Sequence, residues 1–271
     1  MKIVKAGIVT VIVAAAIPLL MYTPAPSQTP GSAVPRMADG KPDINGIWQA
    51  FNEANWDIEA HSAGPSPVLV DGAIGATPPG MGIVEGGTIP YKDSALAQKK
   101  ENYKNRISLD PEVKCYMPGV PRATYMPQPF QILQTTKDIM IAYQYAGAVR
   151  QIPLTNPGPA PSDSWMGTSV GRWEGNTLVV DVTDQNDRTW FDRAGNYHSD
   201  ALHVVERYTP MDAGHILYEA TIEDPNVFTR PWKISMPLYR RVEKNARLME
   251  FKCVEFVEEL MYGNLRKQTA R

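Results

Sequence analysis

The residue types best suited to chemistry crowd into one stretch, residues 184–200, which reads DQNDRTWFDRAGNYHSD. It holds Asp184, Asp187, Asp192, Asp200 and His198, with Arg188, Trp190, Phe191 and Arg193 among them. A histidine beside an aspartate can act as general acid or base near neutral pH, because the carboxylate orients the ring and supports its charged form. His198 is therefore the candidate proton-transfer group, with Asp192 or Asp187 as its orienting partner, and His203 just downstream is a second candidate. Arg172, Arg193 and Arg207 are candidate ligand clamps or oxyanion stabilisers, and Trp190 would help the stretch exclude water. The plainer alternative is that both histidines hydrogen-bond loop backbone. A structureless connection this long is uncommon inside a compact domain and is usually functional or disordered. Its aromatic residues argue against disorder.

Other chemistries find little purchase. His198 and His203 stand five residues apart with aspartates nearby, but this is no established metal-ligand spacing, and neither H-E-x-x-H nor paired C-x-x-C occurs. No metal is expected. There is no G-x-S-x-G nucleophile motif, no Gly-rich phosphate loop and no dinucleotide fingerprint after a strand, so no cofactor is expected either. Twelve tyrosines and six tryptophans suit a pocket for an aromatic ligand, and suit a barrel core equally well.

The elements that must position these residues read as strands. Residues 130–135 and 139–145 flank Thr136-Lys137-Asp138, and Ile139, Ile141, Tyr143 and Tyr145 alternate onto one face. Residues 148–154 would pair back across Ala146-Gly147. Residues 168–174 and 177–183 are joined by Gly175-Asn176, a two-residue hairpin turn. That turn sets Trp173 opposite Leu178, Arg172 opposite Val179 and Val170 opposite Asp181. One face carries Ser169, Gly171, Trp173, Leu178, Val180 and Val182; the other carries Arg172 and Asp181. The Arg172–Asp181 pair lies in a ligand cavity or on the outer surface, according to which face is interior.

Further strands are expected at 202–209, 215–223, 232–240 and 248–254. In the first, His203 and Arg207 share one face while Val204, Glu206 and Tyr208 share the other. Eight or nine sequential strands with short connections point to a mainly β chain, an antiparallel up-and-down, lipocalin-like barrel or a curved sheet, since closure removes exposed edges. Before it, residues 43–129 are expected as an irregular and short-helical segment packed on the barrel. Trp48 would plug the core, residues 63–90 would wander without regular structure, and a helix would run over 93–105, capped by Asp93 or Ser94, with Leu96 and Tyr103 meeting the body. Residues after Glu255 would form a short closing helix through Phe256, Leu260 and Met261.

Lys2 and Lys5, the uncharged run 6–21 and the small residues at Ala25-Pro26-Ser27 read as a secretory signal peptide over 1–27, followed by a linker over 28–42. The run is short for a spanning helix, so no membrane span is expected after processing, and the location is periplasmic or secreted. Removing Lys2 and Lys5 takes 27 basic residues against 29 acidic to 25 against 29. That balance offers no basic face for nucleic acid. In an oxidising compartment Cys115 and Cys253, the two cysteines present, most simply form one disulfide; separate buried thiols are the alternative.

Several stretches resemble a family of exported bacterial β-rich proteins that carries no assigned activity. They are residues 39–43 through Trp48, Cys115-Tyr116-Met117-Pro118-Gly119-Val120-Pro121-Arg122, SVGRWEGNTLVVD at 169–181, and WFDRAGNYHSDALHVVERY at 190–208. The resemblance implies a histidine or larger residue in the turn before Arg150, where this chain has Ala146-Gly147-Ala148.

The functional expectation is an exported, cofactor-independent enzyme of lyase, isomerase or hydratase type, acting on a small hydrophobic or aromatic molecule inside the barrel through His198 and Asp192. A noncatalytic periplasmic binding protein for such a molecule draws on the same residue types. An envelope interaction protein using residues 63–90 is a third reading.

Overall fold

The computed structural model describes residues 33–66 and 75–265. The expected signal peptide and the linker before residue 33 lie outside them. Nine strands form one sheet: β1 Gly46–Gln49, β2 Phe130–Gln134, β3 Asp138–Tyr143, β4 Val149–Pro153, β5 Thr168–Glu174, β6 Thr177–Thr183, β7 His203–Pro210, β8 His215–Glu223 and β9 Trp232–Arg240. Their order is β4-β3-β2-β1-β9-β8-β7-β6-β5, with antiparallel pairing throughout. The sheet curls into a nearly closed barrel, as the alternating pattern predicts.

An odd strand number decides how the barrel closes. With every neighbour antiparallel, the two edge strands β4 and β5 run in the same direction, so they cannot extend the antiparallel ladder. They meet instead through side chains. Arg150 on β4 donates from Nε to Ser169 Oγ on β5 at 2.6 Å, and at Gly171 a Cβ would stand 2.8 Å from the Ile152 side chain. Glycine lets the edges approach.

The interior is filled. Phe130, Ile132, Ile139, Ile141, Val180, Tyr208, Ile216, Tyr218, Ile234 and Leu238 are all buried there, with Trp48 among them. The hairpin register is the expected one, Trp173 on Leu178 and Val170 on Asp181. The interior face is that of Ser169, Leu178 and Val180. On β7 it is that of Val204, Glu206 and Tyr208.

Three expectations are corrected. Residues 248–254 form no strand: β1 occupies the free edge of β9, pairing Trp48 with Arg240, so residues 241–256 leave the sheet as a C-terminal arm. A helix does form, α1 at Asp93–Lys104, followed by α2 at Arg106–Leu109, but Lys92 caps α1 without a side-chain bond. Its buried face is Ala95 and Asn102 rather than Leu96 and Tyr103, because Gly195 packs against Asn102 and the Tyr103 backbone. The last helix, α3 at Val257–Tyr262, does not close the barrel, since Phe256, Leu260 and Met261 remain exposed. The described part of the linker folds on itself through an Arg36–Pro42 bridge.

Candidate functional site

The β6–β7 connection, residues 184–202, caps the barrel end at which β6 finishes and β7 begins. Phe191 is its plug, buried edge-on against Trp232 at 5.6 Å and held by its carbonyl, which accepts from Tyr125 OH at 2.8 Å. Trp190 bridges to Tyr197, and Phe191 N donates to Asn196 O at 2.7 Å, so 190–197 is a tight turn. Gly195 permits it with φ +81°, and an added Cβ would meet Asn102 Cβ at 2.7 Å. Trp190 is buried within this plug.

Within the plug the expected acid–base pair does not form. His198 donates from Nδ1 to the Ser199 carbonyl at 2.8 Å, which leaves Nε2 to accept from the Thr189 hydroxyl at 2.6 Å. Both nitrogens are engaged, the ring packs on Phe191, and burial lowers its pKa and keeps it neutral. Asp192 turns elsewhere. It accepts from Ile58 N at 3.0 Å, Asn196 N at 3.1 Å and Asn196 Nδ2 at 2.6 Å, fastening the turn to the N-terminal segment. Burial, then the charge of Asp57, pushes its carboxyl up to about 7. Asp187 is exposed and acts on His198 only through its charge.

His203, Arg172 and Arg207 lie on the outer face of the barrel, because Val204, Glu206 and Tyr208 take the inner one. Arg172 pairs with Asp181 and, at 2.9 Å, with Glu174; Arg207 reaches Glu174 at 2.9 Å; His203 sits 3.3 Å from Asp181. These exposed pairs contribute little to stability and do not line the barrel interior.

Among the predicted catalytic and ligand-binding residues, Arg193 borders a substantial cavity, and the disulfide residue Cys253 lines it too. A pocket of about 280 Å³ lies between the capped barrel end and the C-terminal arm. Its apolar lining comes from Ile107 and Val113 of the body, from Phe251 and Val254 of the arm and from Val257 at the start of α3; Trp56, Tyr145 and Gln128 complete it. The arm is held by the Cys115–Cys253 disulfide, by Phe256 N donating to Val113 O at 2.8 Å, and by Phe251 on Tyr145 at 5.1 Å. The cysteines are bonded, as expected, although Cys253 lies on the arm and not on a strand.

The polar side of the pocket is a set of ion pairs. Arg122, fully buried, grips both oxygens of Asp110 at 2.9 and 3.2 Å and reaches Glu112 at 2.8 Å. Arg193 takes both oxygens of Glu112 at 2.7 and 2.9 Å, holds Glu258 of α3 at 2.7 Å, and stacks 4.2 Å from the Trp56 ring. Against the opposing effect of burial, the two arginines draw Glu112 down to about 2. Arg193 thus fastens the arm to the body. Arg106, also buried, borders the pocket as well.

A second buried set escaped the sequence. Arg150 pairs with Glu206 inside the barrel, and Glu206 Oε1 accepts from Tyr208 and Tyr218 at 2.9 and 2.8 Å. Alternation places Glu206 with Val204 and Tyr208, and the interior identity of that face was the missing fact. For Arg106, Asp110 and Arg122 the sequence offers no periodic signal, since they lie in or beside four-residue helical turns too short to show one. Among the described residues no group of three or more His, Cys, Asp or Glu side chains could hold a metal ion.

No protein-family model, no curated protein and no solved structure matches this chain. Among the described residues no helix is long and apolar enough to cross a membrane.

Proposed function

We propose that this chain is an exported, noncatalytic binding protein for a small, largely apolar molecule, held between the capped barrel end and the disulfide-tethered arm. The observation that carries the reading is the 280 Å³ pocket, whose apolar lining comes from both the body and the C-terminal segment and whose charged residues are fixed in ion pairs. Ligand sites are typically concave, mostly apolar and furnished with a few placed polar groups. The volume suits a ligand smaller than a typical drug. A disulfide closing a long loop accords with an oxidising compartment, hence with export to the periplasm or beyond.

Acid–base catalysis has less support. A general base needs a reachable nitrogen or oxygen, whereas both ring nitrogens of His198 are engaged and each oxygen of Asp192 accepts N–H bonds. Asp110, Glu112 and Glu258 on the pocket lining are likewise tied to arginines.

The test is a fragment screen on the oxidised full-length chain by ligand-observed NMR, repeated on Val257→Asp. Val257 is partly exposed, so the variant should fold while its wall becomes charged. Small apolar fragments are expected to bind the wild type and to lose at least about tenfold in affinity to the variant. Equal binding to both proteins would remove the pocket from consideration.

A further inference from the structure

The chemical class of the ligand follows from which guanidinium in the pocket wall lacks a counter-charge. Three arginines border the cavity or its floor. Arg122 and Arg193 each hold two carboxylates. Arg106 holds none: among the described residues no carboxylate lies within ion-pairing distance of it. Its Nη2 reaches the Gly75 carbonyl and, at 3.3 Å, Thr77 Oγ1, and its guanidinium lies 4.7 Å from the Tyr103 ring centroid. Its Nη1 has no hydrogen-bond partner. The side chain is buried, being part of a residue only 4% exposed.

A buried arginine keeps its charge, and a buried charge without a partner is costly. Of the carboxylates lining the pocket, Glu258 acts on Arg106 through its charge without pairing with it, and Glu259 has an interaction of its own. Asp110 and Glu112 are taken by Arg122 and Arg193, and Glu258 is shared between Arg193 and the Gly75 amide at 3.1 Å. Lys252, exposed on the pocket lining, is already paired with Glu250 at 3.6 Å, which leaves Arg106 as the cation without a carboxylate. The apolar walls meanwhile require the remainder of the ligand to be hydrocarbon.

We infer that the ligand is a small organic acid, an apolar body bearing one carboxylate that supplies the missing counter-charge to Arg106. The inference rests on the binding reading above. A carboxylate accepts charge-assisted bonds from a guanidinium, which are roughly twice as strong as neutral ones. A divalent cation is disfavoured by the same geometry, because the oxygens of Asp110, Glu112 and Glu258 already accept from arginine and amide donors.

The experiment uses the oxidised full-length chain and matched pairs of probes, benzoate with benzamide and hexanoate with hexanamide, titrated calorimetrically. The acids are expected to bind at least about tenfold more tightly than the amides at neutral pH. That advantage should vanish in Arg106→Gln, return in part in Arg106→Lys, and fade in the wild type as the probe acids become protonated. Should Arg106→Gln fail to fold, the wild-type acid–amide ratio and its pH dependence decide alone. Amides binding as tightly as acids would overturn the assignment of class and leave the pocket reading standing. Absence of binding by all four probes, together with a failed fragment screen, would overturn both.

Discussion

At the scale of single residues, burial rather than reactivity governs the groups that attract attention in the sequence. Asp192 titrates near 7 in the folded chain against an ordinary 3.8. The native state therefore holds its proton more tightly than the unfolded state does. Its contribution to stability is complete below about pH 3.8 and is lost as pH rises through about 7. Glu112 behaves oppositely, with a folded value near 2 against an ordinary 4.5. Its contribution is present above about pH 4.5 and is lost as pH falls through about 2. Urea midpoints measured across this range should decline on both sides, and Glu112→Gln should flatten the acid side while leaving the neutral side sloped. An unchanged acid limb in that variant would contradict the network. His198→Ala should cost about 2–4 kcal/mol, by opening a cavity and leaving the Thr189 hydroxyl and Ser199 carbonyl unpaired, with no effect on affinity in the arm pocket. His198 was legible as a residue worth examining. That its partners are Thr189 and Ser199 depends on the turn around Gly195, which the sequence does not announce.

At the scale of elements, the cap and the arm depend on two local devices. Gly195 combines a left-handed backbone with close approach to α1, so Gly195→Ala should destabilise by more than about 1 kcal/mol and loosen the cap, read as faster amide exchange over residues 190–198. The disulfide spans 138 residues, and on the chain-entropy argument its removal in Cys253→Ser should lower stability by about 4–5 kcal/mol. The same variant should lose the pocket, because the wall of Phe251, Val254 and Val257 is no longer tethered. Retention of full ligand affinity after reduction would contradict that dependence. Element identity was largely readable where local chemistry decides it: Gly175-Asn176 fixes a hairpin, and alternation fixes β8 and β9. Residues 248–254 misled because their alternation is real, while the sheet edge they would need is filled by β1, more than 180 residues upstream.

At the scale of the whole molecule, nine strands leave parallel edges that side chains must join, and the Arg150–Glu206 pair lies just inside that seam. Removing one partner of a buried ion pair commonly costs about 3–5 kcal/mol, so Glu206→Gln should destabilise by that order while the fold, by circular dichroism, persists. A loss below about 1 kcal/mol would mean that the Arg150–Ser169 bond and packing hold the seam without the ion pair. The barrel was visible in the sequence, but its interior face was not, and with it went the placement of Arg172, His203 and Arg207. The pocket was invisible for a related reason: its walls come from α2, from the segment after it and from the C-terminal arm, which only the folded chain brings together. The central claim is that a small molecule binds there. The most direct test is a crystal structure of the oxidised chain grown with a bound fragment. Density between Ile107 and Val113 on one side and Phe251 and Val257 on the other is the expected result; a ligand seated inside the barrel beside Tyr208 and Tyr218, or on the outer face at Arg172, would contradict the account.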